Sequence, residues 1–178
     1  MEIKKVGVVG CGLMGSGITQ VSAAAGYETV TGEITDELIE KGLAKIDSFL
    51  SKSIEKGRIT EQKKREIMGR IEGTTDLQKF KDCDIIIEAI IEDLDEKIAL
   101  FRELDQICPP ETIFASNTSS LTITQLGSST KRPHKMVGLH FFNPVPIMKL
   151  VEVVRTILTD KDTFETAYNF SKSLGKEP

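Results

Sequence analysis

Two residues late in the chain have the side chains that proton transfer requires. His140 ends an apolar run, and Glu152 lies 12 residues later inside the apolar segment LVEVV. An imidazole exchanges a proton near neutral pH, and a facing carboxylate would fix its tautomer and stabilise its charged form. The pattern predicts an acid–base pair if the chain reverses between the two residues. The alternative is a structural His140 with Glu152 facing solvent.

A second group of residues has the pattern of a dinucleotide-binding loop. Gly10-Cys11-Gly12-Leu13-Met14-Gly15 follows a strand-like run and opens a helical one, and Glu33 ends the next predicted strand. In this context Gly10 permits a tight turn, Gly12 lets the backbone approach a pyrophosphate, and Gly15 allows close helix packing. Glu33 would accept hydrogen bonds from the adenosine ribose and repel the extra phosphate of NADP. The pattern therefore predicts NAD as cofactor, the alternative being a glycine-rich turn without a ligand.

A third cluster consists of short polar side chains, Ser116-Asn117-Thr118-Ser119-Ser120, directly after the apolar run TIFA. Ligands of open α/β sheets bind at the carboxyl ends of the strands. These hydroxyl and amide groups are therefore candidates for hydrogen bonds to a substrate oxygen. The alternative is a polar turn that caps a helix beginning at Leu121.

Lysines recur on one face of a predicted helix, at Lys41, Lys45, Lys52 and Lys56. Residues at these steps lie above one another on an α-helix. They form either an ordinary solvated face or a binding patch for the anionic tail of a cofactor.

The segments that must position these residues alternate between strand and helix. Apolar patterns predict strands at 3–9, 27–31, 85–89, 112–115, 136–140 and 149–154, and helices at 14–25, 39–54, 60–70, 95–107 and 163–174. Such alternation predicts an α/β fold, a Rossmann-like doubly wound and mostly parallel sheet with helices on both faces. Residues 41–70 are too many for a simple crossover, so we expect a helical hairpin that projects after the second strand.

Composition narrows the class of protein. The chain has 178 residues, a formal net charge of −4 and 39% hydrophobic residues, which suits one globular domain without a metal or disulfide staple. No apolar run is long enough to span a membrane, and the mild acidity argues against nucleic-acid binding. The cysteines Cys11, Cys83 and Cys108 form no CxxC pair. They predict reduced thiols, a cytoplasmic location and no metal site.

Three of these motifs together resemble the N-terminal NAD-binding domain of the L-3-hydroxyacyl-CoA dehydrogenase family. They are GxGxxG at Gly10, ASNTSSL from Ala115, and GLHFFNPVPIMKLVEV from Gly138. The resemblance covers essentially the whole chain and points most closely to the bacterial 3-hydroxybutyryl-CoA dehydrogenases. It implies reversible, NAD-dependent oxidation of (S)-3-hydroxyacyl-CoA to 3-oxoacyl-CoA, in fatty-acid beta-oxidation or butanoate metabolism.

The resemblance also implies roles for individual residues. His140 is expected to be the catalytic base, Glu152 its partner, and Ser119 a contact to both the substrate oxygen and the cofactor. Lys52 and Lys56 match the helical part that grips the CoA tail. The expected NAD contacts are Gly10, Gly12, Leu13, Met14, Gly15, Glu33, Glu92, Lys97, Asn117, Ser119 and Asn143.

Two departures from the family pattern affect these expectations. The family usually has Asp at the position of Glu33. Glu carries the same charge, so a preference for NAD is still expected. Family members also continue into a helical domain with a PGFxxNR motif, which supplies an active-site asparagine and most of the dimer contacts. The chain ends at Pro178, before such a motif. We therefore expect residues 1–178 to form the NAD-binding domain alone. The alternatives are an NAD-binding module without turnover and a dehydrogenase of non-CoA hydroxy acids.

Overall fold

The computed structural model describes the whole chain, residues 1–178. The strands are β1 (Lys5–Val9), β2 (Glu28–Gly32), β3 (Ile71–Thr74), β4 (Ile85–Glu88), β5 (Ile113–Ser116), β6 (Met136–Phe141) and β7 (Val151–Val154). The helices are α1 (Leu13–Ala24), α2 (Asp36–Glu55), α3 (Glu61–Met68), α4 (Leu94–Ile107), α5 (Ile123–Ser128) and α6 (Lys161–Ser173). None of these helices combines the length and the apolar character that crossing a membrane requires.

All strands belong to one sheet with the order β3-β2-β1-β4-β5-β6-β7. Every neighbouring pair is parallel except β6 and β7, which run antiparallel. The first six strands thus have the order of the doubly wound dinucleotide-binding fold, in which the strand order reverses between β1 and β4. This confirms the predicted fold class. In this order, the carboxyl ends of β1, β4, β5 and β6 lie at the same edge of the sheet.

Side chains from alternate positions of the central strands fill two separate cores. Ile85 and Ile87 of β4 pack in a core that includes Ile18 of α1 and Phe170 of α6. Ile86 points to the opposite face, in a core that includes Phe101 of α4. A strand covered on both faces must be apolar at every position, which accounts for the unbroken run of isoleucines.

The helical hairpin predicted after the second strand is formed by α2 and α3. The hydroxyl of Thr60 accepts a hydrogen bond from the amide of Lys63 and so caps the start of α3. Ile46, Leu50 and Ile67 are buried in a small core with Ala23 of α1. The hairpin is therefore anchored against α1 rather than standing free of the sheet.

One strand was not predicted from the sequence, and one helix begins later than the sequence indicated. The edge strand β3 has the sequence IEGT, whose side chains are at most half-buried and show no apolar alternation. The helix allowed at Leu121 begins only at Ile123, as α5. A turn precedes it, in which the Thr118 hydroxyl accepts hydrogen bonds from the amides of Ser120 and Leu121.

Candidate functional site

The loop between β1 and α1 can be built only with glycine at two of its positions. Gly10 has a φ of 96°, and a Cβ atom on it would lie 2.5 Å from the carbonyl oxygen of Ala89. A Cβ atom on Gly15 would lie 1.7 Å from the carbonyl oxygen of Gly10. The left-handed turn and the close approach of α1 to β1 therefore both depend on the missing side chains.

The amino end of α1 has the properties of a pyrophosphate site. Gly12 is its N-cap, no side chain caps the helix, and the first turn holds no acidic residue. A Cβ atom on Gly12 would meet no protein atom within 4 Å, so the backbone there borders open space. Amide donors and the positive end of the helix dipole face that space. The residues present thus fit the phosphates of NAD.

Glu33 lies directly after β2 and joins the glycine-rich loop. One carboxylate oxygen, Oε1, accepts a hydrogen bond of 2.8 Å from the amide of Cys11, and Oε2 accepts one of 3.2 Å from the amide of Ile34. The side chain also lines a pocket of about 440 Å³ together with Gly10, Leu77 and Ile90. A half-buried carboxylate that lines this pocket is suited to bind ribose hydroxyls.

The catalytic candidates His140 and Glu152 are brought together by the hairpin of β6 and β7. They are paired directly across the antiparallel ladder, and Nδ1 of His140 lies 2.8 Å from Oε2 of Glu152. In the neutral tautomer that donates from Nδ1, the other ring nitrogen, Nε2, is a free acceptor. The His140 side chain is 20% exposed and that of Glu152 is 55% exposed. The imidazole is therefore less exposed to solvent than the carboxylate with which it pairs.

A second pocket, of about 390 Å³, unites most of the remaining candidates at the carboxyl edge of the sheet. The predicted residues that line it are Met14, Glu92, Lys97, Asn117, Ser119, His140 and Asn143. Asn117 also has a structural contact, because its Oδ1 accepts a hydrogen bond of 2.9 Å from the amide of Phe141. Glu152 does not line this pocket and reaches it only through His140.

A buried carboxylate beside this pocket was missed from the sequence. Glu88, at the end of β4, is 0% exposed and pairs with the ammonium of Lys97, which is 1% exposed. The ammonium also lies 3.1 Å from Oε2 of Glu92. Burial alone would raise the pKa of Glu92, but hydrogen bonds from Thr118 and Lys97 hold that pKa below its usual value. The available signal was an acidic residue that ends an apolar strand 9 residues before Lys97.

The predicted substrate lysines lie apart from this pocket, on α2. Lys41, Lys45 and Lys52 line a shallow depression with Phe49 between them. Lys56 is the C-cap residue of the helix and does not line the depression. The structure thus groups Lys52 with the two preceding lysines rather than with Lys56.

Comparison with known proteins identifies the family to which the chain is similar. Residues 5–178 match the family model described as 3-hydroxyacyl-CoA dehydrogenase, NAD binding domain. A 3-hydroxybutyryl-CoA dehydrogenase of Clostridioides difficile is 48% identical over 174 residues, which are 98% of this chain and 62% of that protein. The mitochondrial hydroxyacyl-coenzyme A dehydrogenase of Homo sapiens is 43% identical over 183 residues, 99% of this chain and 58% of that protein.

A solved structure gives the same result for the fold. The crystal structure of (S)-3-hydroxybutyryl-CoA dehydrogenase from Ralstonia eutropha superimposes with a TM-score of 0.98 at 42% identity, covering 99% of this chain and 62% of that one. The chain therefore spans somewhat less than two thirds of the length of these relatives. By its sequence, its strand order and its glycine-rich loop, the chain belongs to the 3-hydroxyacyl-CoA dehydrogenase family, of which it carries the NAD-binding domain.

Proposed function

We propose that the protein catalyses the reversible, NAD-dependent oxidation of (S)-3-hydroxyacyl-CoA to 3-oxoacyl-CoA. The observation that carries this proposal is the His140–Glu152 pair, whose imidazole lines the same pocket as Ser119 and Met14 of α1. A proton acceptor, a hydroxyl group and the end of the dinucleotide loop thus surround one space. Oxidation of an alcohol requires a base for the hydroxyl proton and an acceptor for the hydride, which this space can hold together.

The chain's own residues have separate tasks in this reaction. His140 accepts the proton of the substrate hydroxyl at Nε2, because Nδ1 is held by Glu152. Glu152 stabilises the imidazolium that forms, as a carboxylate does behind the imidazole of other acid–base pairs. Ser119, exposed at the pocket, holds the C3 oxygen of the substrate.

When bound, NAD supplies the hydride acceptor. The amides at the start of α1 hold its pyrophosphate, and Glu33 holds the adenosine ribose and disfavours NADP. Asn117 and Asn143 lie at the end of the site near His140, and so do Glu92 and Lys97. We assign these four residues to the nicotinamide half of the cofactor.

We also propose that the lysine-bearing face of α2 contacts the CoA part of the substrate. Lys41, Lys45 and Lys52 surround a shallow depression with one aromatic ring, Phe49. Ammonium groups bind phosphates, and an aromatic face can stack on adenine. Lys56 is exposed one turn further on and belongs to this proposal as an outer contact.

Three wider proposals follow from the family. The activity belongs to the full-length protein, in which a helical domain completes the site and contributes most of the dimer contacts. Exposed apolar side chains near β7, such as Ile147, Leu150 and Ile157, support a surface that further protein covers. We also propose a cytoplasmic location, which three free, buried cysteines support. The place of the reaction in beta-oxidation or butanoate metabolism is proposed from the family alone.

The test compares turnover with cofactor binding. The full-length protein and residues 1–178 are each assayed with acetoacetyl-CoA and NADH, and each is titrated with NADH by calorimetry. We expect turnover by the full-length protein and NADH binding by both. The matched control is the full-length protein with His140→Ala. If the full-length protein binds NADH but turns over no 3-oxoacyl-CoA, it is a binding module and the proposed reaction is wrong.

A further inference from the structure

Five residues at the pocket, of which Glu92 and Lys97 line it, form a closed ring of polar contacts. Lys97 joins Glu88 to Glu92, and Glu92 accepts a hydrogen bond from the hydroxyl of Thr118. The amide of Thr118 donates to Oγ of Ser116 over 3.3 Å, and that hydroxyl donates to Oε2 of Glu88 over 2.6 Å. The ring thereby connects the ends of β4 and β5 with the first turns of α4.

Little of the ring is accessible to a ligand. Glu88 and Ser116 are 0% exposed, Lys97 is 1% exposed and Thr118 is 7% exposed. The ammonium of Lys97 already contacts two carboxylates, so at most one of its three hydrogens is available for a cofactor. A buried charge of this kind is retained only while its partners are fixed, because losing one partner leaves an uncompensated ion. The ring is therefore a set of largely buried, mutually paired groups.

Ser119 is attached to this ring but is not a member of it. The residue before it, Thr118, belongs to the ring through both its amide and its hydroxyl. The hydroxyl of Thr118 also accepts hydrogen bonds from the amides of Ser120 and Leu121, which follow Ser119 in the turn. The backbone before Ser119 is thus held through the amide of Thr118, and the backbone after it through the Thr118 hydroxyl, while Ser119 itself is exposed at the pocket.

We propose that Thr118 is a positioning residue, through which the buried ring of Glu88, Lys97, Glu92 and Ser116 orients the hydroxyl of Ser119 toward the substrate. This inference rests on the proposed role of Ser119 in holding the substrate oxygen. A hydroxyl group that must meet one oxygen atom gains most from a fixed turn, because small misplacements of a reacting group cost large factors in rate. The ring therefore contributes to turnover without touching the substrate.

A double-mutant cycle in the full-length protein tests this proposal. The variants are Thr118→Val, Ser119→Ala and the pair together, assayed for kcat with acetoacetyl-CoA and NADH. Valine matches threonine in shape and removes only the hydroxyl. We expect Thr118→Val to lower kcat about tenfold, and to have almost no further effect when Ser119 is already alanine. Thr118→Ser keeps the hydroxyl and should restore most of the lost kcat.

A matched control separates positioning from a general loss of stability. Thr130 is also in a turn, where its hydroxyl accepts from the amide of Arg132 and donates to the carbonyl of Gly127. Thr130→Val makes the same chemical change and is expected to leave kcat unchanged. Hydrogen exchange of the full-length protein should be faster at the amides of Ser120 and Leu121 in Thr118→Val, but not in Thr130→Val.

The possible outcomes are distinct. If Ser119→Ala keeps normal kcat, the proposed role of Ser119 is wrong and the positioning role with it. If Ser119→Ala slows turnover but Thr118→Val does not, or if the two effects multiply independently, only the positioning proposal is overturned. A kcat loss by Thr118→Val that disappears in the Ser119→Ala background supports it.

Discussion

His140 and Glu152 are paired directly opposite each other in the antiparallel ladder of β6 and β7, with Nδ1 and Oε2 2.8 Å apart. Their separation is thus set by backbone hydrogen bonds rather than by a flexible loop. A slip of one residue in this register would move Glu152 to the opposite face of the sheet. The proposed acid–base pair therefore depends on the register of the hairpin as much as on the two side chains.

Replacing either member of this pair should slow the reaction without preventing cofactor binding. Removal of a general base costs about 10²–10⁴ in rate, so we expect that loss in kcat for His140→Ala, with nearly unchanged NADH affinity. Glu152→Gln should also lower kcat, because the amide loses the charge that stabilises imidazolium. Near-normal kcat in His140→Ala would show that the histidine is structural.

The sequence predicted the elements that bury continuous apolar surface. The run of isoleucines in β4 and the glycine-rich loop after β1 each have a pattern that follows from local geometry. The edge strand β3 lacks such a pattern. Its side chains are at most half-buried, and Gly73 within it has no side chain to bury. Its pairing with β2 is decided by the tertiary structure.

The buried part of the site could not be predicted for a related reason. Glu88 and Ser116 are paired across the parallel strands β4 and β5, although 28 residues separate them in the chain. No local periodicity indicates which residues of two parallel strands become neighbours. His140 and Glu152 could be predicted as a pair from the sequence, because only a short segment connects them. His140 ends one apolar run, and Glu152 interrupts another.

The charge of Glu33 should determine the choice of dinucleotide. A 2′-phosphate beside this half-buried carboxylate brings like charges together, which we expect to weaken NADPH relative to NADH by about 1–3 kcal/mol. Glu33→Ala should narrow that difference, as measured by calorimetry with both nucleotides. Because Glu33 also accepts from the Cys11 amide, the variant should lose some NADH affinity as well. Equal affinities in the unchanged protein would contradict the assignment.

Two glycines of the same loop should respond differently to a methyl group. A Cβ atom on Gly15 would lie 1.7 Å from the Gly10 carbonyl oxygen, so Gly15→Ala should lower the free energy of unfolding by about 1–3 kcal/mol or more. In Gly12→Ala the added methyl group meets no protein atom, so the variant should fold normally. The methyl group would, however, occupy the space that the pyrophosphate is proposed to enter. Urea unfolding and NADH titration of both variants separate the two effects. Unchanged NADH binding by Gly12→Ala would contradict the placement of the pyrophosphate.

Lys176 should stabilise the connection between His140 and Glu152. Its ammonium is buried and donates hydrogen bonds to the carbonyl oxygens of Val145 and Met148, the latter over 2.7 Å. Lys176→Met leaves both carbonyls without this donor, and we expect a loss of about 1–3 kcal/mol in the free energy of unfolding. Lys161→Met, at a side chain that is 82% exposed, serves as the control and should change it little. If Lys176→Met were as stable as Lys161→Met, the prediction would be wrong, and water would have to bind the two carbonyl oxygens in place of the ammonium.

The buried thiols should make the protein less stable in alkali. Burial raises the pKa of Cys83 to about 12 and that of Cys108 to about 11. The unfolded chain releases these protons at lower pH than the folded chain does, so stability falls as the pH rises above about 9. In urea unfolding between about pH 8 and about pH 10, the free energy of unfolding should decline less for Cys83→Ala than for the unchanged protein.

In native protein near neutral pH, a thiol reagent should label Cys83 and Cys108 slowly, and labelling in urea should be rapid. Rapid labelling of these two residues in the folded state would contradict the raised pKa values.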